Sequence, residues 1–411
     1  MATVTATAAS GAPPSLSAAW LAKGGIAGAA LLLAAVVVRS GIASSLAPVD
    51  PIHAAAFASG DARVAAAAAR ARVERGEAVI SPATHALVAS ALARDVTLTP
   101  AIELRGLEFA SRGDTARAAR LFALSRAISR RSLGTHLWLI QRAVERGDVG
   151  GALGEFDLAL RTSEAAPRIL FPVLARATAD PTLQTPLARM LDRPSDWREL
   201  FLDYAIRNPD TAATLTPILL RMHDRGFIKT KQIDRALIAA LVKKNAFGAA
   251  QAVEAGFGPA APTGTMVRDP QFAETQFHYP FGWHIAEGGG SWAVRDRARG
   301  RPALVYRGET GTADQVATQL LALEPGTYRL SAASSVAPSD PQALPFWTVT
   351  CGGGHPVQVA LVDQPADGSA AHSEFTVPAG CSGLWLALNL RSSDRADGVS
   401  GAISGVSIAK R

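Results

Sequence analysis

The chain has 411 residues, of which 48% are hydrophobic and 18% are charged, and its formal net charge is +6. This length gives room for two or three domains, and the composition excludes a chain that is disordered throughout. The arginines are scattered through helical patterns, with no basic run and no interleaved aromatic residues, so we predict no nucleic-acid partner. A solvated helical surface explains the charge, and attraction to anionic lipid or an acidic polymer is the alternative.

An apolar stretch near the N-terminus, residues 24–38, contains no charge and no strongly polar group. Extended back to residue 18, it takes in Trp20 and Lys23 and would form a helix about 30 Å long, enough to cross a bilayer. We therefore predict a transmembrane anchor over residues 18–39, preceded by a flexible tail over 1–17 that is rich in Ala, Thr, Ser and Pro. A cleaved signal peptide and a buried core helix are the alternatives.

The side of the membrane is a separate question, because Lys23 and Arg39 flank the span almost symmetrically and the positive-inside rule decides little. A short tail followed by a long body is typical of an anchor whose N-terminus stays inside. We therefore expect a single-pass protein of the bacterial inner membrane with the bulk of the chain in the periplasm. The two cysteines, Cys351 and Cys381, are a disulfide candidate in such a compartment, and two unpaired thiols are the alternative.

Residues 52–257 have apolar positions every three or four residues and few β-branched runs, which predicts an α-helical domain. A repeat is visible inside it, because Gly113 and Gly147 lie 34 positions apart and each is followed by aspartate. The matched positions that follow pair alanine with alanine and phenylalanine with phenylalanine: Ala118 with Ala152, and Phe122 with Phe156.

This 34-residue period, with glycine in a turn and a small and an aromatic residue on the next helix, resembles the tetratricopeptide repeat. The resemblance covers about half of the helical residues and implies a solenoid with a surface for protein partners. Glycine would end the first helix of each pair, and the aspartate would cap the next. A general α-helical array is the alternative.

A Gly- and Pro-rich linker over 256–264 precedes a change of pattern, and residues 265–411 contain about eight short apolar segments separated by turn signals. This pattern predicts an antiparallel β-sandwich. In 384–391 strict alternation places four leucines on one face, toward the core, and Trp385, Asn389 and Arg391 on the other. An aromatic ring beside an amide and a guanidinium can stack on a sugar ring and bind its hydroxyl groups.

Further motifs occur in the order 269–272 (Asp-Pro-Gln-Phe), 281–283 (Phe-Gly-Trp) and 323–330 (Leu-Glu-Pro-Gly-Thr-Tyr-Arg-Leu), with a closing strand over 403–408. This order resembles the galactose-binding-like jelly roll of carbohydrate-binding modules. The resemblance implies a glycan ligand, and in some members a structural calcium ion, for which no acidic cluster is found here. Trp283 and Trp292 join Trp385, Asn389 and Arg391 as candidate ligand-binding residues. Burial in the core is the alternative for Trp283, and cover by a second layer of structure is the alternative for Trp385, while the sequence does not decide the exposure of Trp292.

Catalytic and metal-binding motifs are not found in the sequence, so we predict no cofactor, no metal ligand and no catalytic residue. Glycoside hydrolysis needs two carboxylates placed on either side of the bond. Glu274 and Glu287 flank an aromatic stretch, but nothing in the sequence fixes their separation.

The sequence thus predicts a membrane-anchored envelope scaffold, with a transmembrane helix, a helical repeat domain that binds envelope proteins and a sandwich that binds a carbohydrate polymer. Such an arrangement suits assembly or export of an extracellular polysaccharide, an inference by analogy of fold. The alternatives are a protein–protein adaptor of an envelope complex and, third, an enzyme acting on polysaccharide.

Overall fold

The computed structural model describes residues 34–58, 60–258, 266–275, 279–352, 357–363, 365, 369–381 and 383–411. It has a helical region followed by two antiparallel sheets. Most of the predicted anchor over 18–39, and all of the tail over 1–17, lie outside the described residues. Among those that are described, no helix is both long enough and apolar enough to cross a membrane. Residues 34–46 are helical, and the side chains of Val36, Val37 and Val38 are exposed.

Fourteen named helices follow this stretch in the described part of the chain. They are α1 Pro51–Phe57, α2 Ala62–Glu74, α3 Pro82–Arg94, α4 Thr99–Ser111, α5 Thr115–Ile128, α6 Leu133–Glu145, α7 Val149–Thr162, α8 Ala166–Ala177, α9 Gln184–Asp192, α10 Asp196–Arg207, α11 Pro209–Arg221, α12 Arg225–Thr230, α13 Ile233–Lys243 and α14 Phe247–Phe257, with a 3₁₀ turn at Pro181–Leu183.

The helix pairs α4–α5 and α6–α7 contain the 34-residue repeat. Gly113 and Gly147 have φ of +82° and +69°, a conformation that glycine adopts at no steric cost. The following aspartates cap the next helices, because Asp114 Oδ1 accepts a hydrogen bond from Arg117 N (3.1 Å) and Asp148 Oδ1 accepts one from Gly151 N (2.8 Å). The predicted turns and caps are confirmed, and the chain contains a helical array.

The chain divides into two compact units, Met1–Ala166 and Pro167–Arg411. The predicted boundary between residues 257 and 265 therefore falls inside the second unit, which contains the later helices as well as the sandwich.

The sandwich consists of two five-stranded sheets with the strand orders β1-β4-β9-β6-β7 and β2-β3-β10-β5-β8, in which every paired strand is antiparallel. The strands are β1 His284–Ile285, β2 Ser291–Ala298, β3 Arg301–Gly308, β4 Gln315–Leu321, β5 Gly326–Val336, β6 Phe346–Cys351, β7 Val357–Asp363, β8 Ala371–Val377, β9 Leu384–Asn389 and β10 Val399–Lys410. The sequence pattern predicted about eight of them and did not resolve β1 and β2.

The two sheets enclose one apolar core, in which Trp283, Trp347 and Tyr328 are among the largest buried side chains. Strand β9 alternates as predicted, since Leu384, Leu386, Leu388 and Leu390 are at most 2% exposed while Trp385 on the opposite face is half-buried. The prediction of an α-helical region followed by an antiparallel β-sandwich is confirmed.

Candidate functional site

A groove of about 660 Å³ lies on the outer face of the β1-β4-β9-β6-β7 sheet. Among the described residues, three ring side chains, two hydroxyls and one amide line it: Tyr279, His284, Trp385, Thr318, Thr350 and Gln315.

Strand register brings these side chains together. Thr318 of β4 lies opposite both His284 of β1 and Ala387 of β9, and Trp385 lies opposite Thr350 of β6. Because residues two apart on a strand share a face, Trp385 and Ala387 belong to neighbouring rows of the outer face. The groove therefore crosses four adjacent strands.

Tyr279 reaches the groove from the segment that precedes β1. The amide of Leu320 in β4 donates to the carbonyl oxygen of Pro280 (2.8 Å), which fixes this segment against the sheet. The ring of Tyr279 lies 6.5 Å from the ring of Trp385 at an interplanar angle of 31°, and 5.6 Å from that of His284 at 73°. Two aromatic rings thus border one groove, and Tyr279 is 41% exposed.

The other two predicted residues of β9 and its continuation lie on the same face as Trp385. Asn389 pairs in register with the groove residue Gln315, and its Nδ2 donates to Thr348 Oγ1 (3.1 Å). Arg391 donates to the carbonyl oxygen of Leu344 (2.6 Å), and its guanidinium lies 4.4 Å from the centre of the Phe346 ring. Asn389 therefore lies beside a groove residue but is not among the described lining residues, and the Arg391 guanidinium is engaged by its own chain.

The two remaining tryptophan candidates lie elsewhere. Trp283 is 1% exposed, its Nε1 donates to the carbonyl oxygen of Asp269 (3.0 Å), and its ring lies 5.9 Å from that of Trp347. It lies in the core, which is the alternative that the sequence left open for this tryptophan. Trp292 lies in β2 of the other sheet, opposite Arg307 of β3, and does not line this groove.

Cys351 and Cys381 are joined by a disulfide, with their Cα atoms 5.7 Å apart. Cys351 ends β6, and Gly352, which follows it, donates its amide hydrogen to the carbonyl oxygen of Gly383 (2.9 Å). The disulfide therefore ties together the two segments that lead into the Trp385 end of the groove.

Several groove residues were not predicted. Thr350 could have been found, because alternation in β6 places Trp347, Val349 and Cys351 in the core and the threonines outside. Gln315 and Thr318 could not be placed together by alternation, because a register shift between Gln315 and Ala317 interrupts it. Tyr279 reaches the groove only through the tertiary path of its segment.

The carboxylates considered for catalysis do not line the groove. Glu274 lies 3.4 Å from Arg268 Nε, and Glu287 is exposed in the turn before β2. Within the described residues, no group of three His, Cys, Asp or Glu side chains is arranged to hold a metal ion. The described lining offers ring surface together with amide and hydroxyl donors and acceptors.

Comparison with known proteins gives no family-model match and no match among curated proteins. Similar solved structures include TmCBM61 in complex with β-1,4-galactotriose, at 13% identity and a TM-score of 0.27, covering 36% of this chain and 99% of that chain. Another is the CBM22-1 xylan-binding domain of Paenibacillus barcinonensis Xyn10C, at 19% identity and a TM-score of 0.24, covering 37% and 97%. Both are carbohydrate-binding modules, and similarity at this level does not assign a function to the chain.

Proposed function

We propose that the β-sandwich binds carbohydrate in the groove formed by Trp385 and Tyr279. The observation that carries the proposal is the meeting of these two rings with Gln315, Thr318 and Thr350 in one groove. A sugar ring presents C–H bonds on its faces and hydroxyl groups around its rim. Ring surface suits the faces, and amide and hydroxyl groups donate to and accept from the rim.

Beside the imidazole of His284, the polar part of the described lining consists of one amide and two hydroxyls, which favours a neutral sugar over an anionic ligand. Gln315, Thr318 and Thr350 carry no formal charge, and the nearby Arg391 is already engaged by a carbonyl oxygen and an aromatic ring. An anionic ligand would gain more from an uncommitted cation than from these neutral groups.

For the whole chain, we propose a non-catalytic envelope scaffold in which the sandwich has the galactose-binding-like jelly-roll topology. The helical domain over 52–257 would bind envelope proteins through tetratricopeptide-like repeats, and 18–39 would anchor the chain in the bacterial inner membrane. The exposed valines of residues 36–38 support the anchor, because adjacent apolar side chains on a helix favour an apolar environment. This arrangement suits assembly or export of a polysaccharide.

The adaptor alternative has an observation of its own. Leu200 and Tyr204 lie one turn apart on α10 and are 59% and 42% exposed, which is typical of a helix face that meets a protein partner. If the sandwich binds no glycan, this surface becomes the first place to search for a partner.

The proposal is tested by calorimetric titration of the full-length chain with β-1,4-galactotriose, xylotriose, cellotriose and maltotriose, followed by the corresponding polysaccharides. We expect at least one to bind. Trp385→Ala should weaken that binding by about tenfold or more, because it removes the ring on which the sugar stacks. A tenfold loss of affinity corresponds to about 1.4 kcal/mol of binding free energy. The melting temperature of each variant confirms that it is folded.

Trp292→Ala is the matched control, because this tryptophan is half-buried on the outer face of the other sheet. It should leave the affinity unchanged. Absence of binding to every glycan would contradict the proposal, and turnover of a glycan that is lost in Glu274→Gln or Glu287→Gln would favour the enzyme alternative.

A further inference from the structure

The last helix, α14, contacts the sandwich beside the groove. Phe247, its first residue, is 2% exposed and lies against Gly352 and Gly383. A Cβ atom on Gly352 would come within 2.6 Å of Phe247 Cζ, and one on Gly383 within 2.4 Å of Phe247 Cγ. The ring is therefore in direct contact with the backbone of both segments.

The same glycines adjoin Trp385. Gly383 precedes it by two residues, and a Cβ on Gly352 would lie 3.5 Å from Trp385 Cδ1. Phe247 and Trp385 thus both lie beside Gly352, whose backbone connects the surroundings of the two rings.

An ion pair forms a second attachment of α14. Glu254 lies two helical turns after Phe247, on the same side of the helix, and its Oε1 is 2.8 Å from Arg268 Nη1. Arg268 is fixed in turn, because its backbone amide and carbonyl both bond the side chain of Gln319, a buried residue of β4. The Arg268 and Glu254 side chains are only 10% and 18% exposed, so loss of either would leave a poorly solvated charge.

We propose that α14 is part of the binding site. In this proposal Phe247 is a positioning residue that holds the backbone at Gly352 and at Gly383 in place, and thereby the ring of Trp385. This inference rests on the proposed function. A groove whose platform is fixed in advance loses less entropy on binding. Because coupling between two binding events is reciprocal, a glycan that needs the docked arrangement also stabilises docking of α14. The sandwich without α14 then has an incomplete site.

The first test compares two phenylalanines of one helix in the full-length chain. Phe257 ends α14, is also 2% exposed, and lies 5.7 Å from the Arg225 guanidinium of α12. We expect Phe247→Ala to weaken binding of the trisaccharides named above by about tenfold or more, and Phe257→Ala by less than about threefold. Equal weakening by both variants would overturn the inference, because it would show a general loss of α14 packing and no specific effect of the Phe247 contact.

The second test needs no ligand and uses Gly352→Ala. Its new methyl group would clash with Cζ and Cε2 of Phe247, at 2.6 and 2.8 Å, and only touch Trp385. Phe247→Ala removes both clashing atoms, so the two changes should be strongly non-additive. We expect Gly352→Ala to speed hydrogen exchange of the β9 amides by about tenfold or more in the native background and to have little effect in the Phe247→Ala background.

The two tests separate failure of the inference from failure of the proposed function. If no glycan binds but the exchange effects are non-additive, α14 positions Trp385 and the proposed function is wrong. If Gly352→Ala has the same effect in both backgrounds, the inference is overturned whether or not a glycan binds.

Discussion

The helical hairpins of the first unit and the β-sandwich bury different kinds of side chain. The hairpins enclose ionisable groups, since Glu103, Glu108 and His136 are at most 4% exposed. The sandwich core is built around large aromatic residues such as Trp283 and Trp347 and is closed by a disulfide. The stability of the hairpins should therefore depend on protonation, and that of the sandwich on packed volume and covalent closure.

Trp283→Ala should give the largest effect and tests the sandwich half of this comparison. Removing a buried tryptophan from a close-packed core costs about 3–5 kcal/mol in the free energy of unfolding. Chemical denaturation of the sandwich, followed by near-UV circular dichroism, measures it. Trp292→Ala is the control and should cost less than about 1 kcal/mol. Similar losses from the two variants would show that core and outer face are not distinct.

Loss of the disulfide should have the next largest effect. Replacing Cys351 and Cys381 by serine removes a closure across 30 positions and should lower the free energy of unfolding by about 2–4 kcal/mol. Urea unfolding of the double variant, compared with native protein with and without reductant, checks this. A variant as stable as the oxidised protein would show that packing alone holds the sandwich closed.

His136 should make the stability of the hairpins depend on pH. Burial disfavours its charged form, but hydrogen bonds to the Glu155 carboxylate (2.7 Å) and the Arg130 carbonyl oxygen (2.8 Å) prevail and raise its pKa above the ordinary value of 6.5. A histidine whose pKa is raised by folding stabilises the folded state. This stabilisation is complete at pH values below the ordinary pKa of 6.5 and is lost as the pH rises through the folded-state pKa.

We therefore expect His136→Gln to cost about 1–3 kcal/mol at about pH 6 and less at about pH 9. Hydrogen exchange of the α6 amides measures the change. His85 is the control, because it contacts Glu108 at 2.6 Å but its side chain is 40% exposed, so His85→Gln should have a smaller effect. A cost for His136→Gln that is independent of pH would contradict a charged imidazole in the folded state.

Glu103 should give the smallest effect and refines the same half of the comparison. Burial raises its pKa, although Arg70 and the Thr135 hydroxyl favour the charged form. The protonated carboxyl stabilises the folded state, and this contribution is complete at pH values below the ordinary pKa. It is lost as the pH rises through the folded-state pKa, so the ionised carboxylate at neutral pH does not favour folding. Glu103→Gln should change the free energy of unfolding by less than about 1 kcal/mol, because the amide oxygen can still accept from Thr135. Denaturation at neutral pH measures it, and a loss above about 2 kcal/mol would show that the charge itself is needed.

Local patterns predicted much of the fold. The spacing of Gly113 and Gly147 predicted two turns between consecutive helices. Alternation over 384–391 placed Trp385 outside and the leucines in the core. These features depend on neighbours in sequence, which periodicity reports directly.

The rest of the site depends on contacts between distant segments. Trp283 is buried although it lies in a segment outside the strands, so strand alternation does not place it. Gln315 and Thr318 share a groove only because the register of β4 is irregular. Phe247 reaches Gly352 from more than 100 residues away, and no local pattern reports such a contact.

Carbohydrate binding at Trp385 is the central claim, and fluorine NMR of full-length chain labelled with fluorotryptophan tests it most directly. Single Trp→Phe variants assign the signals of Trp283, Trp292 and Trp385. We predict that titration with a trisaccharide that binds shifts the Trp385 signal in a saturable manner and leaves the Trp283 and Trp292 signals in place. A shift of Trp292 without Trp385, or no shift with any of the four trisaccharides and their polysaccharides, would contradict the account.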